Sequence, residues 1–215
     1  MNKFIAAALG MVLSASASAT VVNGDFETGD LSGWTASSGA FVTTSAIAGA
    51  FSAELNSGGS LSVSAMEAFF GLTAGSLTAA DLTDPTPEYA GEAIKQTVSV
   101  SAGDVLSFDW TVEFLEGNTT YNDAAFFATV DSGDVIIELA DGISSPGIVS
   151  GTGTYTFLTS GLHTIGFARI NGGDGCCGGP LYVDNVSFTG VPAPLTGTLL
   201  LGGLALLASR KLKGK

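Results

Sequence analysis

An all-β fold, a single antiparallel β-sandwich, is what this sequence predicts for its central region. Three observations carry that expectation. From Ala93 to Phe114 apolar and polar side chains alternate with period two, in two stretches joined by Ala102-Gly103-Asp104. The centre of the chain is rich in Gly, Ser, Thr, Val and Phe, a composition of strands and turns rather than long helices. No heptad and no helical repeat interrupts it.

The two ends stand apart from that centre. Met1-Asn2-Lys3 is a short positive start, Phe4 to Leu13 is apolar, and the segment closes on Ala17-Ser18-Ala19, an A-x-A pattern. Charge, apolar run and small-residue site in this order predict a signal peptide over 1–19, removed after Ala19 by signal peptidase. At the other end Leu195 to Ser209 is apolar and Arg210 to Lys215 is basic. A β-sandwich domain over 20–190 lies between, about the size of one domain.

Charge divides the same way. The stretch 20–190 holds all 20 acidic residues and only Lys95 and Arg169 of the seven basic ones, so 2 against 20 gives −18. Such a surface repels phosphate backbones and anionic lipid, which excludes nucleic acid as a partner. It suits solubility outside the cell and the collection of divalent cations.

Taken in order, Phe41 to Ser45 and Phe51 to Leu55 read as short strands around Ala48-Gly49. Ser60 to Ala65 alternates Leu61 and Val63 with serines. Ser64-x-x-Glu67 then fits a capping box ahead of a short helix at about 65–71. Thr73 to Gly91 carries Asp-Pro and Thr-Pro signals and reads as a long loop. Ala93 to Ser101 alternates Ile94, Gln96, Val98 and Val100 against Lys95, Thr97 and Ser99. Leu106, Phe108, Trp110, Val112 and Phe114 then share one face, which assigns Trp110 to the core. Further strands are expected at 124–130, 134–140, 153–158, 163–170 and 181–189, with a loop from Gly142 to Gly151.

Asn23-Gly24-Asp25-Phe26-Glu27, a turn and Gly33-Trp34 resemble the opening of jelly-roll β-sandwiches of the carbohydrate-binding-module type. Leu181-Tyr182-Val183-Asp184-Asn185-Val186 resembles their closing strand. The resemblance implies a jelly roll with Phe26 and Trp34 in its core. It also implies a structural Ca2+ held by Glu27 and Asp184. Asp25 and the carbonyl of Asn23 are the natural additions, since calcium takes six to eight oxygen ligands and in a strand Asp25 and Glu27 share a face while Phe26 points to the other. The alternative is that these are solvated acids of an acidic domain.

The last segment, Val191-Pro192-Ala193-Pro194 followed by the apolar run and the basic end, resembles the PEP-CTERM sorting signal of Gram-negative bacteria. It departs from the usual Pro-Glu-Pro by Ala193. Glu67 to Leu72, Ala93 to Thr97, Leu106 to Trp110 and Tyr121 to Phe126 are similar to PEP-CTERM cargo proteins without assigned activity. The resemblance implies export across the inner membrane, a transient transmembrane helix within 191–215, processing by an exosortase, and delivery to the cell surface or extracellular matrix. The 15 apolar residues would reach ~22 Å as a helix, against a hydrocarbon core of ~30 Å. A transient handle fits that length better than a permanent anchor, and an ordinary C-terminal anchor is the alternative.

Other candidates weigh less. Cys176-Cys177, among glycines, can form a vicinal disulfide, two free thiols or an intermolecular bridge; the exported compartment permits oxidation. His163, the only histidine, reads as a structural or an exposed strand-end residue, because no G-x-S-x-G elbow surrounds any serine. Tyr89 and Tyr121, in loops, are the aromatics available to stack on a sugar. The functional expectation is therefore a non-catalytic surface or matrix protein associated with exopolysaccharide in a biofilm. A carbohydrate-binding module proper is the alternative. A glycoside hydrolase, the third reading, requires two convergent carboxylates.

Overall fold

Where the alternation is strongest, the strands are longest. The computed structural model describes residues 19–45, 47–59, 61–80, 91–115, 123–172 and 178–189. The early elements are β1 (Thr35–Ala36), β2 (Ala40–Thr43), β3 (Ser52–Leu55), α1 (Val63–Phe70) and α2 (Ser76–Ala79). The long strands follow as β4 (Gly91–Val100), β5 (Val105–Phe114), β6 (Ala124–Val130) and β7 (Asp134–Asp141). Last come β8 (Gly147–Thr156), β9 (Gly161–Ile170) and β10 (Gly178–Thr189). Sheet A has the order β1-β4-β9-β6-β7 and sheet B the order β2-β3-β10-β5-β8. Every pairing is antiparallel. From β3 onward each link changes sheet except the β6–β7 hairpin, which is the winding of a jelly roll.

The main core lies between the sheets. Leu106, Phe108, Trp110, Val112 and Phe114 of β5 point inward as their alternation requires, and Trp110 is only 8% exposed. Phe108 meets Phe127 of β6 at 5.2 Å and Phe167 of β9 edge-on at 4.8 Å, geometries favoured by the ring quadrupoles. Phe26 and Trp34, 5.6 Å apart, close one end of this core.

Sheet A is buried on its other face too. Ala93, Ala124, Ala128 and Ala168 are small, so α1 approaches closely and sets Val63, Met66 and Phe70 onto them with Leu77 of α2. This explains why β6 reads as Ala-Ala-Phe-Phe-Ala with no polar alternation.

Five local expectations give way. The helix begins at Val63, not 65, with Ser62 as its N-cap: the Ser62 hydroxyl accepts from the Ala65 N–H at 3.2 Å. Glu67 makes no capping box with Ser64. It is buried, and its carboxylate accepts from the N–H groups of Gly75 (2.9 Å) and Leu77 (3.0 Å), so it caps α2 instead. The alternating Ser60–Ala65 stretch contributes only a bridge from Leu61 to Gly91.

The loop expected over 142–151 is shorter, because β8 already runs at Gly147. Gly151, expected at the end of that loop, and Gly153, expected to open the 153–158 strand, lie opposite Trp110 and Phe108. A Cβ on Gly151 would sit 3.0 Å from the Trp110 ring, and one on Gly153 would collide with Phe108. These glycines make room for aromatics rather than bending the chain. Within the expected 73–91 loop, Ser76–Ala79 is helical. No helix among the described residues is long and apolar enough to cross a membrane; the expected 191–215 span lies outside them.

Candidate functional site

A set of largely buried polar groups and one exposed face of sheet B are the arrangements with chemistry to offer. Asn23 and Phe26 have positive φ, 51° and 54°, so 23–27 is a turn rather than a strand, and Asp25 and Glu27 do not share a strand face. Glu27 reaches the 47–51 loop, where its Oε1 accepts from the N–H groups of Ala50 (2.8 Å) and Phe51 (3.2 Å). Asp184 reaches the same loop from β10: Oδ2 accepts from Ala48 N–H (3.0 Å) and the Ser52 hydroxyl (3.3 Å), and Oδ1 from Asn185 N–H (2.7 Å). Gly49, at φ +61°, leaves no room for a Cβ beside the Glu27 carboxylate. Burial pushes the Asp184 carboxyl up, and the charge of Glu27 adds to that push.

Asp25 and Asn23 stand aside from this pair. Asp25 Oδ1 accepts from Glu27 N–H at 3.4 Å. The Asn23 carbonyl accepts from the Trp34 indole at 3.1 Å, and its side chain donates to the Asp30 carbonyl at 2.8 Å. Both line a cleft of about 330 Å³ with Val21, Gly24, Asn185, Val186 and Ser187. Among the described residues no three His, Cys, Asp or Glu side chains gather as a metal cluster. Two of the four expected ligands therefore converge, and two do not.

Both cations of the 20–190 stretch are committed internally. Arg169 is fully buried and donates to the carbonyls of Gly179 (2.9 Å), Ile170 (2.7 Å) and Ala124 (3.3 Å) and to Asp123 Oδ2 (2.7 Å). Its guanidinium lies 4.7 Å from the Phe114 ring centre. Lys95 donates to the Phe69 carbonyl at the end of α1 and sits over the Phe69 ring. His163 is buried, with Nδ1 2.8 Å from the Val130 carbonyl and its ring against Phe157. Of the two readings the sequence offered, that is the structural one.

Next to it, Asp131 ties the β6–β7 turn to the β8–β9 connection. Burial pushes its carboxyl up. The hydroxyl of Thr159, the N–H of Leu158, the hydroxyl of Tyr155 and the N–H of Thr159 outweigh that and hold it down to about 2.

The solvent face of sheet B holds the arrangement that sequence reasoning missed. Phe41 of β2 pairs with Glu54 of β3, Glu54 with Tyr182 of β10, and Tyr182 with Thr111 of β5. Opposed residues of an antiparallel ladder point to the same side, so these four form one rank. At ~4.8 Å per strand the two aromatics stand roughly 10 Å apart. Phe41 is 44% exposed. Burial, then the nearby Glu54 carboxylate, pushes the Tyr182 phenol up. The adjoining rank carries Asp109, whose carboxylate accepts from Thr152 (2.6 Å) and Asn185 (2.9 Å). The available signal was weak: Tyr182 falls between Leu181 and Val183, on the polar phase of its strand. Tyr89, Tyr121, Cys176, Cys177, Val191, Pro192, Ala193 and Pro194 lie outside the described residues.

The chain is a jelly-roll β-sandwich. No protein-family model matches it, and no curated protein does. Among solved structures it is similar to a family 16 carbohydrate-binding module, at 12% identity and TM-score 0.44 over 79% of this chain and 98% of that one. It is also similar to the CBM22-1 xylan-binding domain from Paenibacillus barcinonensis Xyn10C, at 14% identity and TM-score 0.42, over 84% and 99%. The C-terminal family 22 carbohydrate binding module of Clostridium thermocellum Xyn10B is a third, at 16% identity and TM-score 0.39, over 78% and 95%. At these values the likeness says nothing about a ligand.

Proposed function

We propose that this chain is an exported, non-catalytic carbohydrate-binding protein that meets polysaccharide on the solvent face of sheet B. The observation that carries the reading is the rank Phe41, Glu54, Tyr182 and Thr111. Aromatic rings offer apolar surfaces to the C–H faces of a sugar, while the carboxylate and hydroxyl beside them bond its hydroxyl groups. The two basic residues of 20–190 are turned inward, which favours neutral polysaccharide over anionic. The terminal segments support export, exosortase processing and residence at the cell surface or in an exopolysaccharide matrix. Binding of the purified protein to a polysaccharide panel tests the ligand. Mass spectrometry of the mature protein from its host tests the two cleavages and the state of Cys176 and Cys177. Retention on no neutral polysaccharide would remove the binding reading.

A structural Ca2+ belongs to the same proposal. Glu27 and Asp184 are hard oxygen donors brought to one loop, and Gly49, lacking a Cβ, lets the Glu27 carboxylate lie against that loop. A cation there would offset two like charges and tie the first turn to the last strand. Its other oxygen ligands would come from backbone carbonyls or water, since Asp25 does not join the pair.

A further inference from the structure

We infer that two copies of this chain associate by pairing β8 with β8. Sheet edges are normally guarded by brevity or by charge. The other three edges follow that rule: β1 has two residues, β2 has four, and β7 carries Asp134, Glu138 and Asp141. β8 is ten residues long, Gly-Ile-Val-Ser-Gly-Thr-Gly-Thr-Tyr-Thr, with no charge and no proline. Among the described residues no strand lies on its free side. Its backbone groups there are a template for another strand.

The occupant is a second copy because the β8 pattern is complementary to itself. A domain of net charge −18 repels its own copy elsewhere, whereas a ladder of β8 on β8 sets no carboxylate against another. In a two-fold dimer that keeps both solvent faces on one side, opposed residues must share parity. A register centred on Thr152 then pairs Thr152 with Thr152, Ser150 with Thr154, and Ile148 with Thr156. All five are exposed, Ile148 at 70%. Cross-strand Thr–Thr and Ser–Thr pairs stabilise antiparallel ladders. The acidic β7 strands approach each other in this dimer, so association strengthens with salt.

The test is sedimentation velocity on the full chain in a mild non-ionic detergent, over a range of concentrations and at two salt levels. The wild type is expected to approach twice the protomer mass, more readily at high salt. Ser150→Glu with Thr154→Glu sets glutamate against glutamate at two places and weakens association by about tenfold. Ser150→Lys with Thr154→Glu sets lysine against glutamate at the same places and keeps the dimer. A wild type that stays monomeric overturns the inference, including the case in which β8 serves a strand of another protein. So does equal behaviour of the two charge variants, which would move the contact elsewhere.

Discussion

Asp131 shows how one carboxylate joins two turns. Held at about 2 against an unfolded value of ~3.9, it binds fewer protons folded than unfolded near pH 3. Its contribution is therefore complete above pH ~4 and is lost as pH falls through about 2. Asp131→Asn should lower unfolding stability at pH 7 by about 2 kcal/mol in urea titrations. The gap between variant and wild type should narrow below pH 4; a gap constant down to pH 2 would contradict this assignment. Arg169→Met should cost about 3–5 kcal/mol, because it strands Asp123 and three carbonyls in the core. Adding Asp123→Ala to that background should cost much less than it does alone. The Glu27–Asp184 pair makes a third claim: chelator should lower the melting temperature of the wild type, and Glu27→Gln should abolish the difference.

Among the elements, β8 and the first turn mark how far the sequence could be read. β5 and the second half of β4 were legible because only one face is buried there, so burial writes itself as alternation. β8 has the same alternation, but its inward positions include Gly151 and Gly153, whose space is filled by Trp110 and Phe108 from the neighbouring strand. That exchange of volume is not visible along one strand. Gly153→Val should cost about 1–3 kcal/mol by forcing the Phe108 ring off Phe127 and Phe167. Thr152→Val, on the solvent face, should cost less than Gly153→Val in the same denaturation series. The turn at 23–27 misled in the opposite sense. Asp25-Phe26-Glu27 alternates like a strand, yet a buried Phe26 at positive φ is set by Trp34 and the core, not by its neighbours. Glu67 misled likewise, since its partners Gly75 and Leu77 lie beyond the helix it sits on.

At the scale of the whole molecule, the antiparallel sandwich and its acidic charge were expected from pattern and composition, and the jelly roll and the pairing of Glu27 with Asp184 from the resemblance; the inward placement of Lys95 and Arg169 was not expected. The aromatic rank on sheet B was not, because a face is assembled from β2, β3, β10 and β5, which are distant in sequence. Among the described residues α1 and α2 pack on the outer face of sheet A, whereas the solvent face of sheet B keeps Phe41 exposed. The most direct measurement is affinity of the purified protein for a neutral polysaccharide, with and without the paired change Phe41→Ala and Tyr182→Ala. The account predicts binding by the wild type and a loss of at least about 100-fold in the double variant, roughly 1.4 kcal/mol for each ring, at an unchanged melting temperature. Full affinity in the double variant would contradict it.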